Sequence, residues 1–148
     1  YRFARGSFEV NKAFRSKLIS EELPKIDRAI QCYAIDTIEI IGHTDNSPNT
    51  GLSNIDKFPK PEELTKGFKN VYAGSNADLG LLRAFSVQTL LEEEIGRVHP
   101  QLAFKSYSAS SLINPGDKSN LDANTDQEKR RIEIRLTRSS NQSVINKC

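Results

Sequence analysis

Two charges stand in this chain where apolar packing would be expected. The run Thr37 to Asp45 is an apolar strand pattern that ends abruptly in Gly42-His43-Thr44-Asp45, which leaves a carboxylate at a strand tip. Thirty-eight residues on, Arg83 falls four residues after Leu79 and four before Val87, on or beside the apolar stripe of a helix. A carboxylate and a guanidinium facing one another suit a small ligand that carries both an amine and a carboxylate. Arginine forks two parallel bonds onto a carboxylate, each charge-assisted bond contributing roughly 1.5–3 kcal/mol. Asp45 opposite would select against ligands lacking the amine. A helix tolerates Arg→Ala well, so removing Arg83 is expected to cost binding and not the fold. Alone, Asp45 would cap a turn, Arg83 would carry its head along the helix to solvent, and Arg130 would pair with any nearby acid.

Catalysis has less support. His43 and Asp45 lie two residues apart and serines are plentiful, but no motif places a serine nucleophile. Paired acids for glycoside cleavage and a phosphate-cradling glycine loop are both missing. The reading is therefore no enzyme, no cofactor and no metal. With His43 and His99 the only histidines, and no useful ligand spacing to Cys32 or Cys148, zinc is not expected. The two cysteines are either unrelated thiols or, in an oxidising compartment, a bridge between the C-terminus and the first helix.

The positioning elements follow from periodicity. Phe8 to Val10 is a short strand with Asn11 as its polar exit. Leu23, Ile26 and Ile30 recur at helical spacing, and Pro24 places the helix start within a residue or two of Glu21. In the strand Thr37 to Gly42, Ile38 and Ile40 face one way and Glu39 and Ile41 the other, and Gly42 permits a tight exit. Ser75 or Asn76 caps a second helix with Asp78 in its first turn and Leu79, Leu82, Val87, Leu90 and Leu91 as its stripe. Leu102 to Tyr107 alternates as a strand, and Arg131 to Leu136 is the last, with Arg130 at its inward-facing start. The order strand, helix, strand, helix, strand, strand predicts a two-layer α/β (α+β) sandwich, a mixed sheet with helices on one face.

One domain is expected over residues 1–148, able to bury roughly 70% of its unfolded surface. A composition 36% apolar and 27% charged is that of an ordinary globular protein, and a net charge of +2 argues against nucleic acid as a partner. No 18 apolar residues run together, so a membrane would be reached only through an anchor segment outside this stretch. With Tyr1 first and no methionine anywhere, the chain reads as a fragment. Residues 47–74, with prolines at 48, 59 and 61, are too long for an ordinary loop. They predict a small helical insertion, with PEELTKGF as a brief helix, docked beside Asp45 and Asn76 as a wall on access. The tail 137–148 carries no periodic pattern.

The run IEIIGHTDNSP, then NADLGLLRAFSV, then KRRIEIRL resembles the OmpA-like C-terminal domain of outer-membrane porins, peptidoglycan-associated lipoproteins and MotB-type stator subunits. Three motifs in order span Phe8 to about Leu136. The resemblance implies a βαβαββ sandwich that anchors a periplasmic or outer-membrane parent protein by gripping the diaminopimelate of the peptidoglycan stem peptide without cleaving it. It places the amine on Asp45 and the carboxylate on Arg83, with Asn76, Arg130, Thr44 and Asn11 lining the pocket. The chain departs from the family at Lys129, usually asparagine, at Gly80, usually serine, and at Ser106 and Ser108, where glycines are common. The insertion is more similar to stator-type subunits, including those of anti-phage complexes such as Zorya. That similarity implies the alternative of a periplasmic interaction module with weak or no peptidoglycan binding, and a homodimer if the parent is stator-type.

Overall fold

In a computed structural model, Thr37–His43 forms β1, the central strand of a three-stranded sheet ordered β2-β1-β3. The structure describes residues 2–58, 63–64, 70–113, 126–139 and 148. β2, Ala103–Ser110, runs parallel to β1 with Thr37 opposite Ala103, and β3, Ile132–Thr137, runs antiparallel with Thr37 opposite Thr137. The expected alternation holds. Ile38 and Ile40 are fully buried beneath the helices, while Glu39 and Ile41 lie on the half-open face. This is the mixed sheet with helices packed on it that the sequence predicts. The first strand is the exception: Phe8 to Val10 is irregular, and among the described residues the sheet has three strands. Phe8 instead joins an apolar cluster around Leu64, Val71 and Leu82, which removes it from any ladder.

The first helical region begins nine residues before the expected start. Asn11 is the N-cap of α1, Lys12–Lys17, its Oδ1 accepting from the Phe14 amide at 2.9 Å. A wider π turn over Leu18–Glu22 then joins α1 to α2, Leu23–Tyr33. Pro24 explains the turn. Its ring cannot sit under the carbonyl four residues back, and the looser turn continues the helix without that bond. Phe14, Leu18, Ile26 and Ile30 from this region pack with Ile38, Ile40, Val87 and Leu91 in the main core.

α3, Asn76–Leu91, is capped by Ser75, whose Oγ accepts from Asp78 N at 3.1 Å. Its stripe of Leu79, Leu82, Val87, Leu90 and Leu91 is buried as expected. α3 crosses β1 at two glycines. A Cβ on Gly42 would meet the Gly80 carbonyl oxygen at 1.8 Å, and one on Gly80 would meet Ser108 Oγ at 2.3 Å. Gly42 is thus needed for close approach, not for a tight exit. Ser108 occupies part of the space that a side chain at 80 would take, and the Gly42 carbonyl oxygen, at 2.8 Å, borders the rest. A bulge in β2 opposite Gly42 and His43 leaves Ala109 unpaired.

The described part of the insertion docks on the body. Leu64 and Val71 are buried against Leu82, with Phe8, Ile55, Phe58 and Phe85 around them. Asn54 stitches its two arms, donating to Asn70 O at 2.7 Å and accepting from Tyr72 N at 2.7 Å. The helix expected in PEELTKGF lies largely outside the described residues, as does most of the tail. The tail's last residue is placed, and Cys148 is disulfide-bonded to Cys32 with 5.2 Å between Cα atoms. Of the two cysteine readings, the bridge is the one realised. α4, Asp126–Lys129, precedes β3. Among the described residues, no helix is long and apolar enough to cross a membrane.

Candidate functional site

The loop that leaves β1 carries Asp45 into a small cleft whose walls also include Arg5, Gly6, Ser47, Pro48, Asn49, Asn76 and Arg83. Its volume, about 70 Å³, admits the charged end of a side chain and not a sugar ring. Asp45 is only 5% exposed. Its Oδ1 accepts from Ser47 N at 2.9 Å, and its Oδ2 accepts from Nη1 of Arg130. Burial pushes this carboxyl up, but the bonds from Arg130 and Ser47 outweigh it and hold it below the usual range. Asn76 fixes the loop from the first turn of α3, its Nδ2 donating to Ser47 O at 3.1 Å and to Asp45 O at 3.4 Å.

Arg83 is wholly buried and does not reach solvent along the helix. Its Nε donates to Ser7 O at 2.9 Å, Nη1 to His43 O at 2.9 Å and Nη2 to Ala4 O at 3.1 Å. The guanidinium also lies 5.0 Å from the centre of the Phe3 ring, a cation–π contact. Burial is the largest influence on its pKa, with Asp45 opposing and Arg130 adding, and the result is pushed down to about 10. It remains a cation at neutral pH. The expectation that Arg83 could be removed without cost to the fold is therefore corrected, since three carbonyls depend on it. Arg130 has a second role of the same kind, its Nε donating to Phe3 O at 3.1 Å.

The structure thus brings Asp45, Asn76 and Arg83 to one cleft, with Arg130 bonded to its aspartate. It does not bring the other two there. Thr44 is buried in the sheet margin, its amide donating to Ser110 O at 2.8 Å, and Asn11 caps α1. Sequence reasoning missed Arg5, Gly6 and Asn49. Arg5 and Gly6 form the tip of a β-turn closed by Ser7 N donating to Ala4 O at 3.1 Å, with Gly6 at φ 66°. The Arg-Gly pair was the available signal, because that position of a turn favours glycine. Asn49 joins the insertion's two ends, donating to Ala73 O at 3.1 Å and Ser75 O at 3.2 Å.

His43 belongs to a different environment. It is fully buried, with Nε2 3.4 Å from Glu133 Oε2 and no well-formed hydrogen bond at either ring nitrogen. Burial, then the charge of Arg131, push its pKa below the ordinary value against the pull of Glu133. With Asp45 committed to Arg130 and Ser47, the His43–Asp45 pair of a triad is not formed.

No protein-family model matches the chain, and no curated protein matches it. Among solved structures, the C-terminal domain of Helicobacter pylori MotB superposes with a TM-score of 0.54 at 20% identity, over 95% of this chain and 86% of that one. The fold is similar to that of MotB's C-terminal domain. The cell wall anchor of the T6SS from Pseudomonas aeruginosa also matches, with a TM-score of 0.50 at 24% identity over 89% of this chain and 71% of its own. Like MotB's domain it is an α+β sandwich neighbour, and at these identities the likeness concerns the fold.

Proposed function

We propose that this domain binds peptidoglycan without cleaving it, through the diaminopimelate of the stem peptide, and so ties a membrane protein to the cell wall from the periplasmic side. The observation that carries the reading is the cleft at Asp45, where one carboxylate and an arginine-rich wall meet in a space sized for a charged side-chain end. Asp45 takes the amine. Asn76 keeps the Asp45 loop in place, Arg130 sets the orientation of its carboxylate, and the arginine side receives the ligand's carboxylate. The likeness to a protein described as a cell wall anchor supports the same role. The insertion contributes Ser47, Pro48 and Asn49 to the rim and acts as a wall that restricts which stem peptides enter.

A second reading, an interaction module with weak peptidoglycan binding, draws support from one observation. Nε, Nη1 and Nη2 of Arg83 are all engaged by the chain's own carbonyls. Sedimentation with purified sacculi tests the two. The wild-type domain is expected to co-sediment and Asp45→Asn to lose at least tenfold in apparent affinity while still melting cooperatively. A wild-type domain that stays in the supernatant would leave the interaction role standing.

A further inference from the structure

Arg83 has no easy way to meet a ligand. It borders the cleft yet exposes no surface to solvent, and each of its three nitrogens donates to a main-chain carbonyl. Two of those carbonyls, Ala4 O and Ser7 O, are the two ends of one β-turn. A single guanidinium therefore grips both feet of the turn, while Arg130 holds the residue just before it through Phe3 O. What this clamp presents at its tip is another arginine. Arg5 is exposed, lines the cleft beside Asp45, and among the described residues makes no hydrogen bond or ion pair.

We infer that Arg5, not Arg83, is the residue that meets the carboxylate of the bound ligand, with Arg83 as the positioning residue that fixes Arg5's turn. This rests on the reading of the cleft as a diaminopimelate site. The charge balance supports it. Arg130 already matches Asp45, and Arg83 adds a fixed positive charge behind the turn, so the cleft favours an anion at its mouth. A guanidinium at the mouth can turn its fork to the incoming group, which a buried one bonded on three sides cannot. The turn's geometry also needs Gly6, whose φ of 66° few side chains adopt without strain.

Within a stem peptide the free side-chain ends of diaminopimelate and lysine differ by one carboxylate, so the affinity ratio of two stem peptides that differ only at this residue isolates the contact. Titration calorimetry with both peptides, alongside sedimentation with sacculi, would be run on the wild-type domain, Arg5→Gln and Arg5→Lys. The wild type is expected to prefer the diaminopimelate peptide at least tenfold. Arg5→Gln should bring that ratio near one with unchanged melting temperature, and Arg5→Lys should recover part of it. A Gln variant that keeps the wild-type ratio would overturn the role of Arg5 and return the carboxylate to Arg83, leaving the site itself intact. A wild-type domain binding neither the diaminopimelate peptide nor sacculi would overturn the site as well.

Discussion

Arg83 and His43 are both fully buried and lie next to each other through the Arg83–His43 carbonyl bond, yet their energetic roles are opposite. Arg83→Ala leaves three carbonyls without their donor, each loss costing about 1–3 kcal/mol. Urea denaturation should show a loss of about 3 kcal/mol or more, and a loss under 1 kcal/mol would mean that water replaces the guanidinium freely. His43 is held neutral. Its pKa is lowered in the folded state, so the unfolded chain binds the extra proton first and stability falls as pH drops below the unfolded value near 6.5. Between pH 7 and pH 5 the slope should approach, and not exceed, about 1.4 kcal/mol per pH unit. Asp45 and Glu133, both lowered, lose their contribution only at more acid pH. His43→Gln should flatten the slope whatever it does to absolute stability, and an unchanged slope would assign it to another group. The gathering of Asp45, Asn76, Arg83 and Arg130 was legible because unusual residue types mark those positions. Arg83's partners were not, because Ala4, Ser7 and His43 offer it carbonyls, and every residue has one.

At the level of elements, periodicity located the three strands of the sheet and the helix Asn76–Leu91, since each has one strongly apolar face. It failed where an apolar residue serves another partner. Phe8 looked like a strand residue but packs with Val71 and Leu82, and Asn11 looked like a strand exit but caps a helix. The crossing of β1 and α3 was equally hidden, because a glycine's value lies in what another element does nearby. That crossing makes a prediction. Gly42→Ala meets backbone at 1.8 Å and should destabilise by about 3 kcal/mol or prevent folding, as overpacking against an unyielding neighbour does. Gly80→Ser meets the Ser108 side chain at 2.3 Å and the Gly42 carbonyl oxygen at 2.8 Å, and should cost about 1–3 kcal/mol. Adding Ser108→Gly should recover part of that loss. Thermal melts of the single and double variants would show additivity instead if the two positions were independent.

For the whole molecule, the Cys32–Cys148 bridge closes a loop spanning 116 residues that contains every strand and α3. By the chain-entropy account, cutting it should cost about 2–5 kcal/mol. The Cys32→Ser/Cys148→Ser variant should accordingly melt about 10 °C lower, given the usual few degrees per kcal/mol at this size. An unchanged melting temperature would show that the tail adds no constraint. The bridge also sets how far the protein can stretch. Pulled between residues 1 and 148 with the bridge intact, only the 31 residues before Cys32 can pay out, about 110 Å of contour. The sheet, the Asp45 loop and the Arg130 strand all sit inside the covalent ring and never feel the tension along their own backbone, whereas the Arg5 turn, which completes the cleft, lies in the segment that pays out. Reduction would release roughly a further 400 Å in one step. An optical-tweezers trace with and without reductant would read this as two different maximum lengths from one sequence.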